Sequence, residues 1–289
     1  MVKKIFYFVA VLGLVFRLEA APENANQKAF KDATKTEKFV EAHPFKEDDE
    51  RKPTGNLVNL GDYGVDDFAY LAVPEQEPIG GVLLIHEWWG LNTHMKLTAD
   101  WYAAHGYVTL AVDLYNGTST DDASRAGALM RDLNQKLALK VIGAGVRFLK
   151  ESPRFKVAKV ATVGWCMGGG LSLQSALQVD KIDGAVMYYG PVETDRNKLD
   201  KLKIPLLGIF GTQDEWVKPE SVNEFEKLLI ELKKDHQIFR FDAPHAFANP
   251  SNAKYKPEFA EQASKAVMAF LYQIFTSPPK KEGFFQKIF

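Results

Sequence analysis

The chain has 289 residues, of which 46% are hydrophobic, 12% aromatic and 25% charged, with a formal net charge of -1. That length and apolar content suffice for one large α/β core, while the even charge balance gives nothing to attract nucleic acid or an anionic membrane surface. Cys166 is the single cysteine, so no intrachain disulfide forms, and no CxxC or His/Cys cluster points to a metal; no metal and no organic cofactor are expected.

Residues 1–20 read as a secretory signal peptide. Lys3 and Lys4 give a positive start, residues 5–16 form an unbroken apolar run of 12 residues, and Ala20 and Ala21 offer a cleavage point. The run is shorter than the ~20 residues that span a bilayer. The mature protein is therefore expected in the periplasm or outside the cell, with an uncleaved N-terminal anchor as the alternative. Residues 21–56 form a polar leader. Phe30, Phe39 and Val40 allow one short amphipathic helix there, and the charged stretch from Lys46 to Lys52 reads as mobile.

A catalytic domain is expected over residues 57–276, with a basic tail at 277–289 that reads as a frayed terminus. Its first two strands, near residues 57–60 and 68–74, predict an antiparallel edge on an otherwise parallel sheet. Residues 81–86 are a fully apolar strand, and Glu87 follows at its C-terminal end, where open α/β sheets place their sites. Trp88, Trp89 and Leu91 lie beside that acid, as core or as pocket lining, and burial against indoles would raise its pKa. A helix over 93–105 leads to a strand from Tyr107. Asp113 at its end reads as structural, and Tyr115 as bordering the site. Helices follow over 123–137 and 139–150. Beyond residue 160 come strands near 184–191, 204–211 and 237–242 and helices over 221–234 and 258–275, with Tyr188 at an aromatic strand end that faces substrate.

The most informative stretch is Val160-Ala-Thr-Val-Gly-Trp-Cys166-Met-Gly-Gly-Gly170, followed by a helical run over 171–179. A buried strand, a sharp turn and a helix make a nucleophile elbow, whose Gly164 and Gly168 must be small to let strand and helix meet. Cys166 takes the nucleophile's place, near a helix N-terminus that favours a thiolate and an oxyanion. Asp214 follows the strand that starts at Ile204, and His245 follows the strand at 237–242. The order nucleophile, acid, histidine, each past the C-terminal end of a strand, is that of an α/β-hydrolase. The spacings of 48 and 31 residues each leave room for an intervening helix.

Gly164-x-Cys166-x-Gly168-Gly169, Asp214, His245 and the earlier Ile85-His86-Glu87-Trp88-Trp89-Gly90-Leu91-Asn92 together resemble the dienelactone hydrolase family, over roughly residues 57–275. The resemblance implies an α/β-hydrolase fold and a triad of Cys166, His245 and Asp214. It implies Glu87 as a fourth active-site residue that helps generate the thiolate, and an oxyanion hole from the N–H groups of Met167 and Trp88. Substrate contacts are assigned to Trp89, Tyr115, Tyr188 and Asn249; Arg125 and Arg131 lie where relatives contact a substrate carboxylate, though a solvated helix face accounts for them. Relatives acting on dienelactone carry an arginine four residues after the catalytic histidine; here Asn249 stands there, which points away from dienelactone and toward a broader ester, lactone or thioester hydrolase. The expected partner is a small-molecule substrate, with no nucleic acid, and the chain is expected to be a monomer. The competing reading is a non-catalytic small-molecule-binding protein on the same fold. A thiol redox sensor ranks lower, because no resolving cysteine is present.

Overall fold

In a computed structural model that describes residues 24–45, 50–155 and 157–278, the apolar runs become one eight-stranded sheet of order β1-β2-β4-β3-β5-β6-β7-β8. Strands β1 (Asn56–Asn59) and β2 (Phe68–Ala72) form the expected antiparallel edge, and β2 pairs antiparallel with β4 (Tyr107–Val112). From β4 the sheet runs parallel through β3 (Gly80–Ile85), β5 (Val160–Trp165), β6 (Gly184–Tyr188), β7 (Leu206–Gly211) and β8 (His236–Phe241). Strands β3, β4, β6 and β7 are buried along their whole length, which requires cover on both faces and explains why they read as continuous apolar runs. At the free edge, β8 alternates half-buried and exposed residues instead.

The covering helices are α3 (Thr93–Ala104), α4 (Ala123–Asp132), α5 (Gln135–Glu151), α6 (Met167–Gln178), α7 (Arg196–Leu199), α8 (Pro219–Glu231) and α9 (Pro257–Thr276). The helix expected over 123–137 ends early. Leu133 turns extended, and Asn134 starts α5 by accepting hydrogen bonds from the N–H groups of Lys136 and Leu137, a capping role that overrides helical periodicity. The chain leaves β3 for β4 on one side and returns to β5 on the other. That reversal opens a crevice at the C-terminal ends of β3 and β5, the usual ligand position of an open α/β sheet.

The leader forms two helices rather than one, α1 (Ala25–Ala33) and α2 (Glu37–Glu41). Thr36 breaks the run because its Oγ1 accepts from the Phe39 N–H at 3.2 Å and caps α2. Phe30 and Phe39 join the buried core of the domain. The signal-peptide expectation, most of the C-terminal tail and residues 46–49 of the charged stretch lie outside the described residues. Among the described residues, no helix is long and apolar enough to cross a membrane.

The elbow fixes the packing of strand to helix. A Cβ on Gly164 would lie 2.0 Å from the Gly168 carbonyl oxygen, and one on Gly168 would lie 2.2 Å from the Ile85 carbonyl oxygen. Gly164→Ala is expected to destabilise the protein by ~3 kcal/mol or more, the upper range for overpacking against immovable backbone. Gly117→Ala is a control with strained φ but no atom within 4 Å, expected to lose only ~1 kcal/mol. Denaturant melts of the two variants check the contrast.

Candidate active site

Four strand ends deliver the side chains. Glu87 follows β3, Cys166 follows β5, Asp214 follows β7 and His245 follows β8, and the parallel register brings all four to one edge of the sheet. Cys166 adopts φ 54° and ψ -118° at the N-cap of α6, a region that non-glycine residues occupy only under strain. Its N–H donates to the Tyr188 carbonyl at 3.0 Å, which holds the turn. Met167 opens α6, and its N–H, among the orphan donors of a helix's first turn, favours the Cys166 thiolate.

His245 Nδ1 and Asp214 Oδ2 are 2.7 Å apart. Asp214 is itself fixed, because its Oδ1 accepts from the N–H groups of Trp216 at 2.8 Å and Val217 at 2.9 Å. With Nδ1 bonded to the carboxylate, the other ring nitrogen, Nε2, is buried and has no hydrogen-bond partner, although it is electrostatically coupled to Cys166. Burial opposes the His245 cation, but Asp214 and the Cys166 sulfur outweigh it and push its pKa up to about 10. Burial pushes the Cys166 thiol up; His245 partly offsets this and Glu87 adds to it. Burial thus favours the neutral thiol, while the neighbouring imidazole and the Met167 N–H favour the anion.

Glu87 is buried, and its pKa is raised by that burial, with His245, Asn249 and Tyr189 acting in the opposite direction. Asn249 Nδ2 donates to its Oε2 at 2.5 Å, and Tyr189 Oη donates to its Oε1 at 3.3 Å. No lysine or arginine is among the groups that shift Glu87 or Cys166. Both functions of the Asn249 amide are engaged, since its Oδ1 accepts from the Ser251 N–H. Tyr115 Oη meets the Met167 sulfur at 3.2 Å, Tyr188 stacks on Trp165, and Trp89 packs against Trp88 and Phe45. Asp113 has a structural place, accepting from the N–H groups of Tyr115 and Gly117. Arg131 bonds the leader through the Thr34 carbonyl and hydroxyl oxygens.

Sequence reasoning did not single out Tyr189, whose φ of 36° aims its ring into the site; an aromatic pair at a strand end was the available signal. It also did not place the leader here. Phe30, His43 and Tyr189 surround the His245 imidazole at ring-centre distances of 5.5, 5.5 and 5.1 Å. Phe39 sits edge-on to Trp88 at 5.0 Å and Trp216 at 4.6 Å. Cys166 and His245 are only 3% and 2% exposed. An open groove of about 860 Å³ lies at the opposite end of the sheet, where Ile79, Gly106 and Arg154 line it, away from the four side chains.

His43 Nδ1 lies 2.6 Å from the Phe39 carbonyl oxygen, so Nδ1 carries the proton. Burial lowers the His43 pKa to about 3, aided by His245 and Lys254 and opposed by the Phe39 carbonyl. A folded pKa below the unfolded value of 6.5 means that this histidine's contribution is fully present above pH 6.5 and fades as pH falls toward 3. His43→Gln is therefore expected to flatten the acid-side stability slope by up to about 1.4 kcal/mol per pH unit, measured by urea melts at pH 7, 5.5 and 4.5 against the parent chain.

Residues 68–275 match the profile of the dienelactone hydrolase family. The chain is 32% identical over 231 residues to "Protein usf" of Aquifex pyrophilus, covering 77% of this chain and all of the relative. It is 27% identical over 225 residues to a carboxymethylenebutenolidase of Pseudomonas putida, covering 73% and 93%. The crystal structure of a Klebsiella pneumoniae protein described as a dienelactone hydrolase superposes with a TM-score of 0.68 at 20% identity, over 76% of this chain and 98% of that one.

Proposed function

The chain belongs to the dienelactone hydrolase family, and on that premise we propose that it cleaves uncharged esters, lactones or thioesters through an acyl-cysteine at Cys166. That it is a hydrolase of ester or lactone type follows from the family and its carboxymethylenebutenolidase relatives. The cysteine route is supported chiefly by the buried His245–Asp214 pair, in which Nδ1 is fixed on the carboxylate and the imidazole favours the Cys166 thiolate.

The steps follow from the groups present. The Cys166 thiol passes its proton to His245 Nε2, with Glu87 beside the pair, and the resulting sulfur anion attacks the acyl carbon. The new oxyanion is held by the Met167 and Trp88 N–H groups, each good donor contributing roughly 3–4 kcal/mol. The protonated His245 gives its proton to the leaving alcohol or thiol. It then takes one from water, which attacks the thioester and frees the acid and the thiol. A thiolate leaves as readily as it attacks, so activated esters and lactones suit it better than amides. An uncharged substrate fits a site in which no lysine or arginine acts on Cys166 or Glu87 and Asn249 is bound to Glu87.

Export to the periplasm or beyond is part of the proposal, supported by the charged start and apolar run of residues 1–20; N-terminal sequencing of protein from the native host would read the cleavage point. Cys166→Ala is expected to lose at least about a thousandfold in kcat on aryl esters, as removal of a nucleophile does, and to lose the acyl adduct seen by mass spectrometry. Equal rates in both proteins would eliminate the cysteine route, and inactivity of both would favour a binding protein. Asp214→Asn is expected to lower kcat by roughly 10²–10⁴ by freeing the wrong imidazole tautomer, measured on the same ester at pH 7.

A further inference from the structure

The family match begins at residue 68, yet the most enclosing part of the site is contributed by residues 24–45. Phe30 and His43 flank the His245 ring, and Phe39 wedges between Trp88 and Trp216. Any leaving group must reach His245 Nε2, and any acyl carbon must reach the Cys166 sulfur. Both atoms are buried, and the rings of Phe30 and His43 lie directly on the His245 side of the site, so a leaving group reaches Nε2 only if these rings move.

The attachment of residues 24–45 suits movement. Apart from an isolated bridge between Phe45 and Asn252, the segment adds no strand to the sheet. Its polar ties reach loops and surface helices: Asn24 to the Val192 carbonyl at 2.7 Å, Arg131 to Thr34, and an exposed Lys38–Glu215 ion pair at 3.0 Å. Helix α1 is also flanked by unfilled space. Small surface clefts of about 20 Å³ and about 170 Å³ open beside it, against Met167 and Gly170 and against Trp216 and Val217. Three aromatic rings facing the site form a surface that offers stacking and edge contacts to a planar neutral group.

We propose that residues 24–45 form a substrate-selecting lid, which lifts from Trp88 and Trp216 to admit substrate and then closes Phe30, Phe39 and His43 on its uncharged planar part. The proposal rests on the hydrolase reading for the identity of the substrate, but access to the thiol tests it independently of turnover. A Cβ built at Gly127 lies 3.6 Å from the Thr34 Cβ, within the range of a disulfide. The double variant Thr34→Cys/Gly127→Cys can therefore be locked by oxidation and released by reductant.

The readouts are alkylation of Cys166 by iodoacetamide, followed by peptide mass, and hydrolysis of phenyl acetate. Both are expected to be at least tenfold slower in the oxidised form and to recover on reduction. Alkylation within a factor of two in the two forms overturns the lid, whatever hydrolysis does. Slowed alkylation in a protein whose parent chain never hydrolyses the ester would uphold the lid and sink the cysteine-hydrolase reading instead. Phe39→Ala, which needs no crosslink, is expected to speed Cys166 alkylation at least threefold; an unchanged rate counts against the lid. For selection, Phe30→Leu is expected to lower kcat/KM at least fivefold more for phenyl acetate than for S-ethyl thioacetate, which shares the acyl group. Equal losses on both would reduce Phe30 to a packing residue.

Discussion

The close approach of α6 to β3 and β5 is the constraint on which the site depends. Gly164 and Gly168 nearly touch each other's backbone, and Gly168 lies against the carbonyls of Ile85 and His86. Only this packing sets the end of β3, with Glu87, beside the turn that carries Cys166. The turn forces Cys166 to a positive φ, a strain of order 1–3 kcal/mol held by the surrounding sheet. In return the sulfur is placed at a helix N-terminus, where backbone N–H groups face it.

The electrostatics follow from burial. Four ionisable groups, Cys166, His245, Asp214 and Glu87, lie almost out of contact with water, where unpaired charge is expensive. Asp214 accepts from two backbone N–H groups and pairs with His245, which makes the imidazole the favoured place for a proton. The thiol and Glu87 are both pushed toward their neutral forms by burial. Burial of the Cys166 sulfur favours its thiol form, and a thiol is oxidised less readily than a thiolate.

Most of the fold was legible. The buried parallel strands announced themselves as short apolar runs bounded by turns, and the antiparallel edge as two short strands joined by a turn. The elbow, the acid and the histidine could be found because each sits at a fixed place, just past a strand end. The misread elements have local causes. Asn134 and Thr36 each cap a new helix inside what looked like one periodic segment. The leader read as polar because its aromatic residues are few and widely spaced, so its periodicity gave no hint of a partner.

The sequence by itself determined the fold class and the strand ends at which Glu87, Cys166, Asp214 and His245 sit. These are properties of local pattern: apolar runs make buried strands, and Gly-x-Cys-x-Gly makes one kind of turn. Only the tertiary structure decided that Asn249 and Tyr189 hold Glu87, and that Phe30 and His43 lie against His245. Those contacts join residues separated by more than a hundred positions, and the burial that raises the pKa of Cys166 and Glu87 exists only once those distant surfaces have met.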